Sequence, residues 1–305
     1  MAHLLDSLTR LPHLGEGLSV LAALFWAGAI VIFRIVGRDV HPLAVNLFKN
    51  GLAVVLLSAT VILLGQPLLP VLPLAAYAIF FLSGVLGIAV ADTLVLVSLN
   101  KLGAEIFAII DCGYSPFVIG LSFLFLAERM TPLQLLGAGL IVLAVFLVGG
   151  VKADAQIPRR DLLTGIAVGL VSVLFMAAGI VMVKPWLNTT PLLWSSLIRM
   201  VGGTVGVGLY LAFDRRRGEI LRPLRSLRML RLLFPASVLA TYLSNLCWLG
   251  GMALTAASVA SVLNQMSTIF IFILAAIFLK ERITPLKLAA VILAFAGAVL
   301  VSVPF

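Results

Sequence analysis

Two stretches decide the fold: residues 126–135, LAERMTPLQL, and residues 279–288, LKERITPLKL. Glu128 aligns with Glu281, an offset of 153 residues (281 − 128). At that offset Arg129 meets Arg282, Thr131 meets Thr284 and Pro132 meets Pro285. The same shift carries Asp92 onto Asn245, Asp111 onto Asn264, Cys112 onto Gln265 and Ser115 onto Thr268. The front of each copy aligns more loosely, at 149 to 150, where Phe25 meets Phe175, Arg34 meets Lys184 and Lys49 meets Arg199. The chain is a duplication, and internal repetition of this length constrains architecture before any local reading does.

Each copy is strongly apolar. Of 305 residues, 62% are hydrophobic and 11% charged, with a mean hydropathy of +1.21. A soluble domain is about half apolar and about a quarter charged, so the chain reads as an integral membrane protein. A helix needs about 20 apolar residues to cross hydrocarbon. Ten such stretches are expected, near 17–37, 43–65, 73–99, 104–126, 132–151, 162–184, 191–213, 232–253, 256–279 and 285–303. Pro42, Pro132, Pro191 and Pro285 sit at or just before span starts, where a missing N–H costs little. The first run lacks a clearly basic leader and is followed by further spans, so it reads as a span rather than a removable signal peptide. The expected organisation is a short segment 1–16, a five-span half over 17–151, a linker over 152–161 and a second half over 162–305. Small residues at four-residue spacing (Gly165 and Gly169, Gly202 and Gly206, Ala294 and Ala298) let helices approach closely in lipid, although small residues are common in membrane helices anyway.

Five is odd, so the second copy enters the membrane the other way up. The expected fold class is all-α, ten transmembrane helices as two inverted five-helix repeats. That is the architecture of secondary transporters, with a site near mid-membrane between the halves. The span count, the two halves and the repeated ER-x-TPL junction together resemble the drug/metabolite transporter superfamily, and within it the EamA-type permeases. The resemblance covers nearly the whole chain. It implies a central cavity and alternating access. Relatives of this type export amino acids or other small metabolites, import vitamins or carry sugar-linked substrates.

The charge of +9 reads as topology rather than nucleic-acid binding. Residues 213–232 alone hold seven arginines, and Arg34, Arg38, Lys101, Lys152, Arg159, Arg160, Lys280, Arg282 and Lys287 fall on the same side. The opposite side has Arg10, Arg129 and Lys184. The positive-inside rule puts the rich side in the cytoplasm, and both termini outside a cytoplasmic membrane. The resemblance implies termini inside; the charge count is the reading followed. Cys112 and Cys247 lie in apolar runs and read as small buried residues rather than a disulfide. No metal spacing, no phosphate-binding G-x-x-x-x-G-K-[ST] motif and no cofactor signature is present.

Lys49, Asp92, Asp111 and Arg199 lie well inside spans, where ionisable residues face a bundle interior or a wet cavity. At ~1.5 Å per residue, Asp111 is roughly 10 Å into its helix. Ala104, Ala108, Asp111, Ser115 and Ser122 follow one face of span 4. Ala257, Ser261, Asn264 and Thr268 form the matching stripe on span 9, beside Gln265. Thr241 and Asn245 align on span 8, with Tyr242 and Trp248 nearby. These residues line a cavity or glue helices across a dry interface. Trp26 suits an aromatic wall, and Trp194 suits either a wall or an interface anchor. Pro116 could kink span 4, and Glu128 and Glu281 read as helix caps. Three readings of Asp111 stand open: an ion-pair partner of Lys49 or Arg199, a titrating group, or a contact to a cationic substrate group. Asp111 and Asp92 are the candidate proton sites.

The expectation is therefore a non-enzymatic secondary transporter, exporting a small polar or amphipathic metabolite, with an amino-acid-like zwitterion favoured and proton coupling as the candidate drive. A multidrug or cation efflux carrier, or a vitamin importer, is the alternative. A lipid-modifying membrane enzyme would need a catalytic cluster, and a sensor would carry an output domain. A pseudo-dimer can work as a monomer or weak homodimer, with no obligatory protein partner.

Overall fold

The computed structural model describes residues 13–126, 131–149, 157–187, 189–254, 263–281 and 283–302. Helix follows helix: α1 (Leu14–Val36), α2 (Pro42–Leu63), α3 (Leu74–Leu102), α4 (Ala104–Asp111), α5 (Tyr114–Leu126), α6 (Pro132–Gly149), α7 (Arg159–Val183) and α8 (Leu192–Phe213). The short α9 (Arg217–Leu221) comes next. It leads to α10, which runs as Leu227–Ser237, a π turn Val238–Leu243 and Ser244–Leu254. The last two are α11 (Met266–Leu279) and α12 (Pro285–Ser302). No strand is present among the described residues. Seven helical segments are long and apolar enough to cross a membrane, and Pro132–Leu147, Met266–Leu279 and Pro285–Leu300 are shorter apolar helices.

Local chemistry sets the starts. His41 caps α2, its Nδ1 accepting from Leu43 N–H at 3.2 Å, and Pro42 follows at the first helical position. Burial, and then the Arg216 charge, push the His41 pKa below the ordinary histidine range, which suits an acceptor nitrogen. Thr131 and Gln134 close a reciprocal capping box on α6: Gln134 N–H donates to Thr131 Oγ1 at 3.2 Å, and Thr131 N–H to Gln134 Oε1 at 3.0 Å. On α12 Thr284 Oγ1 accepts from Lys287 N–H at 3.3 Å. The repeated T-P-L segment is therefore a helix start in both copies.

Two interruptions recur at the 153-residue offset. A π turn occupies Val85–Val90 within α3 and Val238–Leu243 within α10. The expected continuous span 4 is instead broken between α4 and α5 at Cys112 and Gly113. Pro116 explains this break: its nitrogen cannot donate to the Cys112 carbonyl, and its ring crowds that carbonyl. Gly113 N–H turns to Ile110 O at 2.9 Å instead. A turn also stands at Gln265, the position matching Cys112. The residue there that matches Pro116 is Ile269, so the second break has no proline behind it.

Packing pairs the copies. The α1 helix lies on α10 and α11, while α7 lies on α3, α4 and α5; α2 meets α8, and α6 meets α12. Glycines allow the closest crossings. A Cβ on Gly84 would sit 2.0 Å from the Arg199 carbonyl oxygen, and one on Gly202 would sit 2.2 Å from that of Phe81. Ser83 Oγ donates to Gly179 O at 2.6 Å on the α7 side. Gly165 and Gly169 meet the C-terminal part of α3, and Ala294 and Ala298 are fully buried beside Ile141 and Ala144 of α6. All three small-residue pairs thus sit at helix crossings. Gly84→Val should cost about 1–3 kcal/mol, at the upper end because the obstacle is backbone. The melting midpoint of detergent-solubilised protein checks this, and an unchanged midpoint would contradict the packing. Both cysteines are free thiols. Trp194 is neither anchor nor cavity wall. It is 1% exposed and packs edge-on against Tyr77 and Phe80, at centroid distances of 4.9 and 5.5 Å.

Candidate functional site

A cavity of about 430 Å³ lies where α1, α2, α3, α4, α5, α7, α8, α10 and α11 converge. Trp26, Lys49, Asp92, Asp111, Arg199, Asn245, Asn264 and Gln265 all line it, joined by Tyr114 and Trp248. Ala22, Ala23 and Ala240 keep it open, since short side chains leave volume. The stripes read from sequence thus converge in part.

Two residues fall elsewhere. Tyr242 turns away from the cavity; its hydroxyl lies 2.8 Å from Thr60 Oγ1, and its ring packs beside Leu57 and Leu197. Thr268 is buried with its Oγ1 3.2 Å from Cys112 Sγ, joining α4 to α11 as helix glue. Ser115 lies on α5 and its side chain is outside the described set. Glu128, Ala257 and Ser261 lie outside the described residues as well.

The four ionisable groups are not equivalent. Lys49 ion-pairs with Asp92, and its Nζ also donates to Asn50 Oδ1 at 3.0 Å. Asn50 Nδ2 donates to Asn46 Oδ1 at 2.7 Å. Asn46 Nδ2 in turn lies 2.9 and 3.2 Å from the carbonyl oxygens of Ile88 and Ala89, and 2.8 Å from Thr93 Oγ1. Those two carbonyls belong to the first π turn. A π turn displaces the regular i→i−4 ladder, and the Asn46 amide satisfies what the ladder gives up. Sequence reading missed Asn46 and Asn50. Their signal was present, because residues 46, 49 and 50 share one helix face at i, i+3 and i+4.

Asp111 does not pair with Lys49 or Arg199, as one reading held; no ion pair to it exists among the described residues. The Trp26 indole stands near its carboxyl group instead, both residues lining the cavity. Arg199 has no ion pair among the described residues either. Its Nε is buried and lacks a hydrogen-bond partner, and so does Nδ2 of Asn245. By contrast the hydroxyls of Thr241 and Ser244 are committed to backbone carbonyls of Lys49 and Ala22, at 3.2 and 2.9 Å. Two lining residues, Arg199 and Asn245, thus each carry a buried donor without a partner, and the lining adds the Asp111 carboxyl group and the aromatic side chains of Trp26, Tyr114 and Trp248. No cluster of metal-ligating side chains exists among the described residues.

A polar clasp that sequence reading also missed joins the start of α4 to the segment from Glu281 to Lys287. Glu281 accepts from the N–H groups of Ala104 and Glu105, at 3.1 and 3.2 Å. It thus caps α4, in the other copy, rather than the helix that follows it. Gly103 makes room: φ is +87°, and a Cβ there would lie 2.8 Å from Glu281 Oε1. Glu105, fully buried, pairs with Lys287 at 3.0 Å. Arg34 donates to the Asn100 carbonyl beside them. A carboxylate at a helix N-terminus satisfies orphan donors and meets the positive end of the helix dipole.

A model of the EamA-like transporter family matches residues 13–150 and again residues 163–303. Over 46 residues the chain is 52% identical to an uncharacterized transporter of Archaeoglobus fulgidus, covering 15% of this chain and 17% of that protein's length. A solved crystal structure of a protein superposes with a TM-score of 0.68 at 11% identity, over 94% of this chain and 95% of the other; at that identity the likeness is one of fold. With apolar helices throughout and the family's pattern matched twice along its length, the chain belongs to the EamA-like transporter family of membrane transporters.

Proposed function

We propose that the protein is a secondary transporter of ten spans in two inverted five-helix halves, which carries a small zwitterionic metabolite outward through the central cavity by alternating access. The observation that carries the substrate reading is the lone guanidinium. Arg199 lines the cavity with an unpartnered Nε while the other cation, Lys49, is neutralised by Asp92. A buried unpaired donor is costly, and a substrate carboxylate relieves it. Asp111, without an ion pair among the described residues, complements an ammonium group. The cavity volume suits an amino acid or a molecule of similar size.

The reciprocal packing supports the inverted repeat. Each half's first helix lies on the other half's third and fourth, and equivalent helices pair with each other. A pseudo-two-fold axis produces that exchange of partners. The charge count supports placing the clasp at the cytoplasmic end, with both termini outside. In the transport cycle the clasp parts and the Glu105–Lys287 pair meets water. Asp92 or Asp111 takes the coupling proton, and protonation of Asp92 releases Lys49.

A thermal-shift screen of purified protein with amino acids, vitamins, nucleosides and cationic dyes tests the reading, followed by flux in vesicles with and without a pH gradient. Stabilisation by amino acids is expected. Stabilisation by dyes alone would favour the cation-efflux alternative, which the three aromatic side chains and Asp111 fit. Loss of gradient-driven flux is expected from Asp92→Asn or Asp111→Asn, and retention in both variants would remove proton coupling through these groups. The clasp gives a separate prediction. Glu105→Gln with Lys287→Met removes the buried pair without orphaning a charge. Labelling of a cavity cysteine from the cytoplasmic side should rise about tenfold, the change that a ~1.4 kcal/mol shift in closure produces.

A further inference from the structure

We propose that the connection between α8 and α10 is a built site for anionic phospholipid headgroups. Residues 214–231 hold seven arginines, no lysine and two acids (Asp214 and Glu219), a net charge of +5 (7 − 2). The corresponding connection in the first copy, residues 64–73, carries no charge at all. Topology needs only positive charge of either kind, on a segment of any shape. This segment is folded and is arginine throughout.

Its fold fixes the arginines on a rim. The α9 helix and a 3₁₀ turn at Arg222–Arg225 are tied down by Ile220, Leu221 and Leu224, which pack into the core. All seven arginines are exposed. Arg216 has Asp214 at 3.7 Å, and Arg217 donates to Ala212 O at 3.0 Å. Arg215, Arg222, Arg225, Arg228 and Arg231 have no acidic partner within ion-pair distance among the described residues.

Apolar neighbours set the depth. Leu227 and Phe234, exposed at 73% and 52%, flank Arg228 and Arg231 on α10, and Phe213 is 85% exposed at the end of α8. The apolar segment Leu227–Gly251 has 25 residues. At ~1.5 Å per residue it is several ångströms longer than a hydrocarbon core of ~30 Å. Its first turn therefore stands at headgroup level, with Phe234 toward the acyl chains and the arginines toward phosphate. A guanidinium fork matches two phosphate oxygens at once. The apolar flanks point to a lipid phosphodiester rather than a soluble phosphate.

Nanodiscs of phosphatidylcholine, alone or with an equal share of phosphatidylglycerol, test this. The native protein should melt higher with phosphatidylglycerol and retain it on mass spectrometry, and raised salt should weaken both effects. Arg222→Gln, Arg225→Gln and Arg228→Gln combined should lower phosphatidylglycerol retention by roughly fivefold for each arginine removed. The milder pair Arg225→Gln and Arg228→Gln should lie between the native protein and the triple variant. Labelling of the termini checks that orientation is unchanged, Arg215, Arg216, Arg217 and Arg231 remaining. Equal melting of the native protein in both lipids would overturn the proposal, as would undiminished retention by the folded variants. Inorganic phosphate that reproduced the stabilisation in phosphatidylcholine alone would overturn it too.

Discussion

Lys49→Met should destabilise the protein by about 3–5 kcal/mol, the usual consequence of removing one member of a buried ion pair. Lys49 is 3% exposed and its partner Asp92 would be left as an uncompensated charge. The damage extends beyond the pair. Asn50 loses the donor that fixes its amide, and through Asn46 that amide helps hold the carbonyls of the first π turn. The melting midpoint should fall by roughly 6–20 °C, taking ~2–4 °C per kcal/mol for a chain of this size. Lys49→Met combined with Asp92→Leu should recover most of the loss, because an apolar pair of similar volume replaces the ion pair without a stranded charge. A double variant as unstable as the single one would show that Lys49 acts through something other than Asp92.

Arg199→Gln should behave in the opposite way. Arg199 has no ion pair to lose, so stability should be unchanged or slightly raised, a buried unpaired cation having been removed. Binding should suffer instead. A charge-assisted hydrogen bond to a carboxylate contributes about 1.5–3 kcal/mol, so affinity for a carboxylate-bearing substrate should fall roughly 10- to 150-fold. Arg199→Lys should not restore it, because an ammonium lacks the planar fork. The measurement is the substrate concentration that half-stabilises each variant, set beside its melting midpoint without substrate. A variant that melts far lower while binding normally would make Arg199 a structural residue. The two cations were indistinguishable in sequence, as repeat-related positions 49 and 199; their neighbours separate them.

That contrast shows where sequence reading stops. Hydropathy and the repeat placed the helices and brought Asp92, Asp111, Asn245, Asn264, Gln265 and Trp26 to one cavity, because the 153-residue offset and the 3.6-residue period are both properties of the chain alone. Pairing is not such a property. Asp92 rather than Asp111 meets Lys49, from the turn of α3 that follows its π turn, and no residue type announces a π turn in an apolar run. Glu281 was legible as a cap, yet its helix belongs to the other copy, a long-range relation that local spacing does not contain. Tyr242 was assigned to the cavity because it neighbours Thr241; the hydroxyl of Thr60, on another helix, holds it elsewhere. Glu105 passed unnoticed beside the glycine that ends α3, although a carboxylate so near an apolar run merited a partner, which is Lys287.

The central claim is that one cavity is served by two alternating openings. Asn264→Cys in a background without Cys112 and Cys247 tests it most directly, since Asn264 lines the cavity and the native cysteines would otherwise react. A membrane-impermeant thiol reagent is applied to right-side-out and to inside-out vesicles, and labelling of the single cysteine is counted. Alternating access predicts labelling from both sides, with cytoplasmic labelling increased when the Glu105–Lys287 pair is removed. Labelling from one side only, unchanged by loss of that pair, would contradict it.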